Sequence, residues 1–269
     1  MLTETKTDLA DLKLTQKTIG GLNIKSVTES VPYLNMLVYG EPGIGKTRLA
    51  GSASEVPELS PVLVIDVEGG VLSLAKDYPN VDVVRIESWE DMNSVYSDLF
   101  DEPGRYNTVV LDSISEMQKF SMSRIMEAAV AKNPIREIEV PGIREWGING
   151  EQIRMLVRAF RDMDINIILT AHVLEDKDEA TSTVKYKPSL TGKLKNEIAG
   201  FMDIVGYMYK KRIKDEASGE RYLGTFLLTS ATDKEVAKDR SGKLPQVIEN
   251  PTMAELFDYI NGTRTESEQ

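Results

Sequence analysis

The chain has 269 residues, 41% of them hydrophobic and 28% charged, enough for one large α/β domain or two small ones around a substantial core. It holds no cysteine and a single histidine, His172, which excludes disulfides, thiolate metal centres and histidine-rich zinc sites. A net charge of −11 excludes a protein that coats nucleic acid over its whole surface. No apolar run approaches the roughly 20 residues of a membrane span, and the polar N-terminus lacks a signal pattern, so a cytoplasmic protein with no membrane partner is expected.

Residues 1–22 are polar, threonine-rich and weakly patterned, and read as an N-terminal arm. Residues 23–262 contain no linker, repeat or low-complexity tract and read as one domain, followed by a flexible tail at 263–269. Short apolar runs rich in Val, Ile and Leu occupy 34–39, 62–67, 81–86, 108–111 and 165–170, the texture of parallel strands covered on both faces. Between them lie stripes at helical spacing: Met122, Ile125, Met126 and Ala129, then Ile153, Leu156, Val157, Phe160 and Met163. Strands alternating with helices predict an α/β fold on a mainly parallel sheet flanked by helices. Residues 181–187, 201–211 and 222–230 read as longer strands added antiparallel at one edge, and 252–260 as a terminal amphipathic helix capped by Thr252.

The strand at 34–39 runs directly into Gly40, Glu41, Pro42, Gly43, Ile44, Gly45, Lys46 and Thr47, followed by Arg48 at the opening of a helix. This is G-x-x-x-x-G-K-[ST] at every fixed position, between a strand and a helix, as a phosphate loop requires. The glycines let backbone N–H groups close on a β-phosphate, and the start of the helix adds its positive end. Lys46 is expected to reach the β- and γ-phosphates and Thr47 to offer its hydroxyl to Mg²⁺, so ATP and magnesium are the expected ligands.

Such a loop needs a carboxylate at the end of a buried strand to hold the metal's water shell. Asp112, ending Thr108-Val109-Val110-Leu111 and followed by Ser113, is the first choice; its other reading is the N-cap of the next helix. Asp66 is the second candidate. It belongs to Asp66-Val67-Glu68-Gly69-Gly70, where strand alternation puts Asp66 and Glu68 on one side, and Glu68 is positioned to polarise an attacking water. A capped strand end with a glycine turn is the alternative for that segment.

Taken together, phosphate loop, strand-Asp-x-Glu-Gly, strand-Asp-Ser and strand-Thr-Ala-His follow the order of the RecA-type ATPase core. Over about residues 30–250 the chain resembles the small phage-encoded RecA/RadA-like P-loop ATPases, the Sak-type recombination proteins with an AAA domain. The resemblance implies a DNA-stimulated ATPase of phage recombination or replication, in the cytoplasm of a bacterial host. It implies Glu68 as the water-activating glutamate, and His172 where RecA proteins carry a γ-phosphate-sensing glutamine. The region after His172, up to Asn196, corresponds to a mobile loop lining a single-stranded DNA channel, with Lys185, Lys187, Lys193 and Lys195 as phosphate contacts. Read without it, these lysines, and Lys210, Lys211, Arg212 and Lys214 after them, are solvated edges, and His172 a satisfied histidine in a strand-end loop. Trp146 is read as a packed indole in a loop before a helix at 151–163, with a DNA-facing role as the alternative. Ala237-Lys238-Asp239-Arg240-Ser241-Gly242 resembles the Lys-x-Arg-x-Gly finger that a neighbouring RadA-like subunit supplies, which implies self-association into a ring or filament. An ATP-dependent regulator or helicase-loader-like protein acting on a protein partner is the competing function. A small-molecule kinase is disfavoured by the lack of an arginine-rich lid segment.

Overall fold

The computed structural model describes residues 18–26, 33–177, 183–214 and 219–264, and the chain divides into two compact units, Met1–Pro32 and Tyr33–Gln269. In the first, β1 (Thr18–Ile19) and β2 (Leu22–Asn23) form a hairpin through Gly20-Gly21, both at positive φ. Leu22 and Asn23, expected on either side of a boundary between arm and domain, thus share a strand. The rest of the expected arm, and 265–269 of the expected tail, lie outside the described residues.

In the second unit the apolar runs become the strands of one sheet. They are β3 (Asn35–Gly40), β4 (Val62–Asp66), β5 (Asp82–Arg85), β6 (Thr108–Asp112), β7 (Asn166–Lys177), β8 (Val184–Pro188), β9 (Ile204–Lys214), β10 (Arg221–Leu228), β11 (Lys238–Asp239) and β12 (Val247–Glu249). Across the sheet the order is β12-β10-β9-β3-β7-β6-β4-β5, and each successive pairing from β9 to β5 along this order is parallel. Alternation along these strands loads both faces. Leu37, Tyr39, Leu63, Ile65, Val109 and Leu111 face one core, under α2 (Trp89–Asp101), α3 (Ile114–Lys132), α4 (Ile143–Arg161) and α5 (Leu194–Phe201). Met36, Val38, Val62, Val64 and Val110 face the other, under α1 (Lys46–Gly51) and α6 (Met253–Asn261). Each such side chain contributes about 1.5–3 kcal/mol relative to exposure. The expected α/β fold is therefore the one adopted.

Some element expectations need correction. Strand β9 joins the phosphate-loop strand β3 in parallel, and only beyond it do β10 and β12 add antiparallel. Phe201 ends helix α5, which the strand reading of 201–211 did not anticipate. β7 runs on to Lys177 because β8 pairs back on it, so His172 sits within a ladder and not in a strand-end loop. The expected loop after His172 is thus a strand pair followed by a helix, with 178–182 outside the described residues. Trp146 lies inside α4, whose N-terminus is at Ile143, and is 41% exposed, not packed. Thr252 caps α6 as expected, its hydroxyl accepting from the Glu255 N–H.

Chain order fixes where a ligand can enter. From β3 the chain passes beyond β7 and β6 to reach β4, whereas β9 closes on the opposite side of β3. Such a reversal opens a crevice at the C-terminal end of β3, where Gly40 stands.

Candidate nucleotide site

Gly40 opens the loop because nothing larger fits there: a Cβ on it would lie 2.5 Å from the Met208 carbonyl oxygen on β9. Gly45, at φ 110°, adopts a conformation closed to side-chain-bearing residues and brings the chain straight into α1. The loop borders a cavity of about 820 Å³, within the range of small-molecule sites. Residues Pro42 through Thr47 line it, as does Arg48, whose guanidinium pairs with Asp77 at 3.2 Å. Gly40 and Glu41 contribute through their carbonyls, which accept from Lys46 Nζ at 3.0 and 3.1 Å. Lys46 is buried, and desolvation pushes its ammonium below the ordinary lysine range against the opposing pull of Glu68, Asp112 and Glu41.

Thr47 Oγ1 donates to Asp112 Oδ2 at 2.6 Å, and Thr170 Oγ1 on β7 donates to Asp112 Oδ1. Ser113, not Asp112, caps α3 by accepting from the Glu116 N–H, which leaves the Asp112 carboxylate to the cavity. Burial raises the Asp112 pKa, with the two hydroxyls and Lys46 opposing it. Among the described residues no group of three or more His, Asp or Glu forms a metal cage. A hydroxyl plus one carboxylate instead fits a magnesium ion that arrives with phosphate oxygens and keeps its own waters.

Asp66 does not line the cavity. Its Oδ1 accepts from the Gly69 and Gly70 N–H groups at 2.7 and 3.3 Å, and its Oδ2 pairs with Arg85 at 3.1 Å. It shapes the turn that carries Glu68 into the cavity, so this turn, and not strand alternation, places Glu68. His172 Nε2 lies 3.0 Å from Glu68 Oε1 and 3.7 Å from Glu116 Oε1. The short contact to a carboxylate requires the imidazole proton on Nε2; Nδ1 is buried and has no hydrogen-bond partner among the described residues. Gly40 and His172 are register partners in β3 and β7, which is how one strand pair joins loop and histidine.

Behind His172 runs a buried polar ladder. Ser115 Oγ accepts from the His172 N–H (3.1 Å) and donates to the Ser189 carbonyl (2.9 Å). One turn on, Gln118 Nε2 donates to Asn149 Oδ1 (2.9 Å) and Thr191 Oγ1 (2.6 Å), while its Oε1 accepts from the Thr191 N–H. Asn149 in turn donates to Ser121 Oγ at 2.9 Å. Thr191 opens onto a second groove beside Trp146 and Lys193.

The remaining anticipated residues are not brought to the cavity. Lys187 and Lys195 both pair with Asp176, at 2.9 and 2.8 Å, holding its carboxyl down at about 2; Lys185 and Lys193 are exposed. Lys238 donates to the Ala199 and Met202 carbonyls, and Arg240 to Asp203 and the Gly200 carbonyl, so both close the C-terminal end of α5. Missed in the sequence were Glu116, and the wall formed by Met208, Lys210, Thr225, Asn250 and Pro251. The available signals were the Met208/Lys210 alternation at the head of a basic run and the Asn250-Pro251-Thr252 turn before a helix.

No helix among the described residues is long and apolar enough to cross a membrane. No curated protein matches the sequence. Among solved structures, a KaiC-like protein from the hyperthermophilic archaeon Pyrococcus horikoshii OT3 aligns at 15% identity over 72% of this chain and 76% of its own, with a TM-score of 0.39. Residues 33–241 match the family described as the AAA domain. That span holds the phosphate loop, Glu68, Asp112 and His172, and the chain belongs to the AAA-domain family.

Proposed function

We propose that the chain is a magnesium-dependent ATPase whose turnover is stimulated by single-stranded DNA, working in phage recombination or replication in the cytoplasm of a bacterial host. The observation that carries the enzymatic part is the convergence of Lys46, Thr47, Asp112 and Glu68 on one cavity. ATP seats its phosphates in the loop, where Lys46 exchanges two backbone carbonyls for phosphate oxygens. Thr47 and Asp112 would hold a magnesium ion, which when bound would supply positive charge against the phosphate oxygens. Glu68 orients the attacking water and takes its proton, and the His172 Nε2–H holds the Glu68 carboxylate in place meanwhile.

The DNA part is supported by the resemblance to phage recombination ATPases and by the exposed cations Lys185 and Lys193. In a ring or filament, Lys238 and Arg240 reach a neighbour's nucleotide only by releasing the end of α5. The pairing of Lys187 and Lys195 with Asp176 favours a second reading, an ATP-dependent regulator or loader acting on a protein partner such as a helicase or single-strand-binding protein. ATP turnover measured with and without an oligonucleotide, at low and high salt, separates them, with Lys46→Ala as the inactive reference. Stimulation that fades with salt supports the DNA reading, and its absence at every salt concentration refutes it.

A further inference from the structure

The sheet order gives the cavity two chemically different ends. Glu68 follows β4 and Asp112 ends β6, on one side of β3, whereas Lys210 and Thr225 belong to β9 and β10 on the other. The Asn250 N–H donates to the Thr225 carbonyl at 2.7 Å, which fastens the Asn250-Pro251 turn to this second side. A nucleotide with its terminal phosphate toward Thr47, Asp112 and Glu68 must extend its ribose and base away from them, onto the Lys210–Thr225–Asn250 wall.

That wall is chemically unspent. Lys46, Thr47, Asp112, Glu68 and His172 all hold partners within the chain. The side chains of Lys210, Thr225 and Asn250 make no hydrogen bond or ion pair among the described residues, yet all three line the cavity. Asn250 is also the one non-glycine described residue at positive φ, 48°. Asparagine tolerates this left-handed conformation better than most residues, so it suits the turn.

We propose that Asn250 and Lys210 read the edge of the nucleobase and set the preference between adenine and guanine nucleotides. This inference rests on the nucleotide-site reading above. A carboxamide both donates and accepts, and matches the adenine N7 acceptor and N6 amine together. A lysine ammonium only donates; it suits the guanine O6 and N7 acceptors and is mismatched against an exocyclic amine. The two side chains therefore pull in opposite directions: Asn250 favours adenine, and Lys210 admits guanine.

The test is equilibrium binding of ATP, GTP and inorganic tripolyphosphate, each with magnesium, to the full chain and to two variants. Asn250→Gly keeps a residue at ease with positive φ and removes only the amide. It is expected to lower the ATP-to-GTP affinity ratio by about fivefold or more, the size of one neutral hydrogen bond. Lys210→Gln, which can accept as well as donate, is expected to raise that ratio. Tripolyphosphate, having no base, should bind all three proteins alike. Ratios that stay put in both variants overturn the inference, as does a parallel loss of tripolyphosphate affinity, which assigns Lys210 to the phosphates instead. Wild-type protein that binds none of the three ligands overturns the nucleotide site itself, and the inference with it.

Discussion

Asp112→Asn is expected to make the nucleotide-free protein more stable and the enzyme worse. The carboxylate is 2% exposed, and Lys46, the cation that opposes its burial, is committed to the Gly40 and Glu41 carbonyls. Burial raises its pKa above the ordinary carboxylate value, so the folded state binds this proton more tightly than the unfolded chain does. The contribution to stability is therefore most favourable below the unfolded pKa near 4, and declines as pH rises through the raised folded value. At pH 7 the group is a net cost. Asparagine removes the charge yet keeps both hydroxyl neighbours, since Thr47 and Thr170 can each accept as well as donate. Relief of a partly compensated buried charge is worth about 1–2 kcal/mol, which for a domain of this size is roughly 2–8 °C in Tm. Thermal unfolding without nucleotide, at pH 7 and near pH 4, reads it: the variant should lead at pH 7 and the difference should shrink at pH 4. Turnover should fall by about 10–100-fold as the support for the metal's water shell is lost. A variant that is less stable than wild type at pH 7 refutes the account of Asp112 as a charge held at a cost for its ligand.

Two further outcomes follow from the same geometry. Glu68→Gln keeps the shape and the His172 contact but cannot take a proton, so single-turnover hydrolysis should slow by about 10²–10⁴-fold while equilibrium ATP binding changes little; undiminished hydrolysis would remove Glu68 from the base role. Asp176 titrates at about 2, held there by Lys195 and then Lys187, so this pairing is intact above the ordinary carboxylate pKa and is lost only as pH falls through that low value. At neutral pH, Asp176→Asn should free both lysines, tighten oligonucleotide binding and steepen the log–log salt slope by about 1.4. An unchanged slope means that DNA does not pass these lysines.

The phosphate loop was legible because its requirements are local: glycines at fixed steps between an apolar strand and a helix. Asp112 was legible for the same reason, at the end of a buried run. Glu68 was found on a faulty argument, since the turn built around Asp66 and Arg85 and not alternation delivers it. The lysines at 185–196 looked unopposed because their carboxylate, Asp176, lies across a hairpin whose register, Asp176 opposite Lys185, no local pattern reveals. Trp146 was misplaced because Pro141-Gly142 and Gly147 read as loop signals, although the segment is helical and Asn149, one turn on, is bonded to Gln118 and Ser121 of α3. Lys210, Thr225 and Asn250 come together only through the pairing of β9, β10 and the turn after β12, which is a property of the closed sheet.

Helix α3 serves two masters at once. Its first turn, through Ser115 and Glu116, grips the histidine that steadies Glu68; its next, through Gln118, grips Thr191 at the rim of the Trp146 groove. Every polar atom of Gln118 is committed, and orphaning a buried polar group costs about 1–3 kcal/mol. The rim of the Trp146 groove and the strand that carries His172 are therefore fastened to consecutive turns of one helix by buried hydrogen bonds.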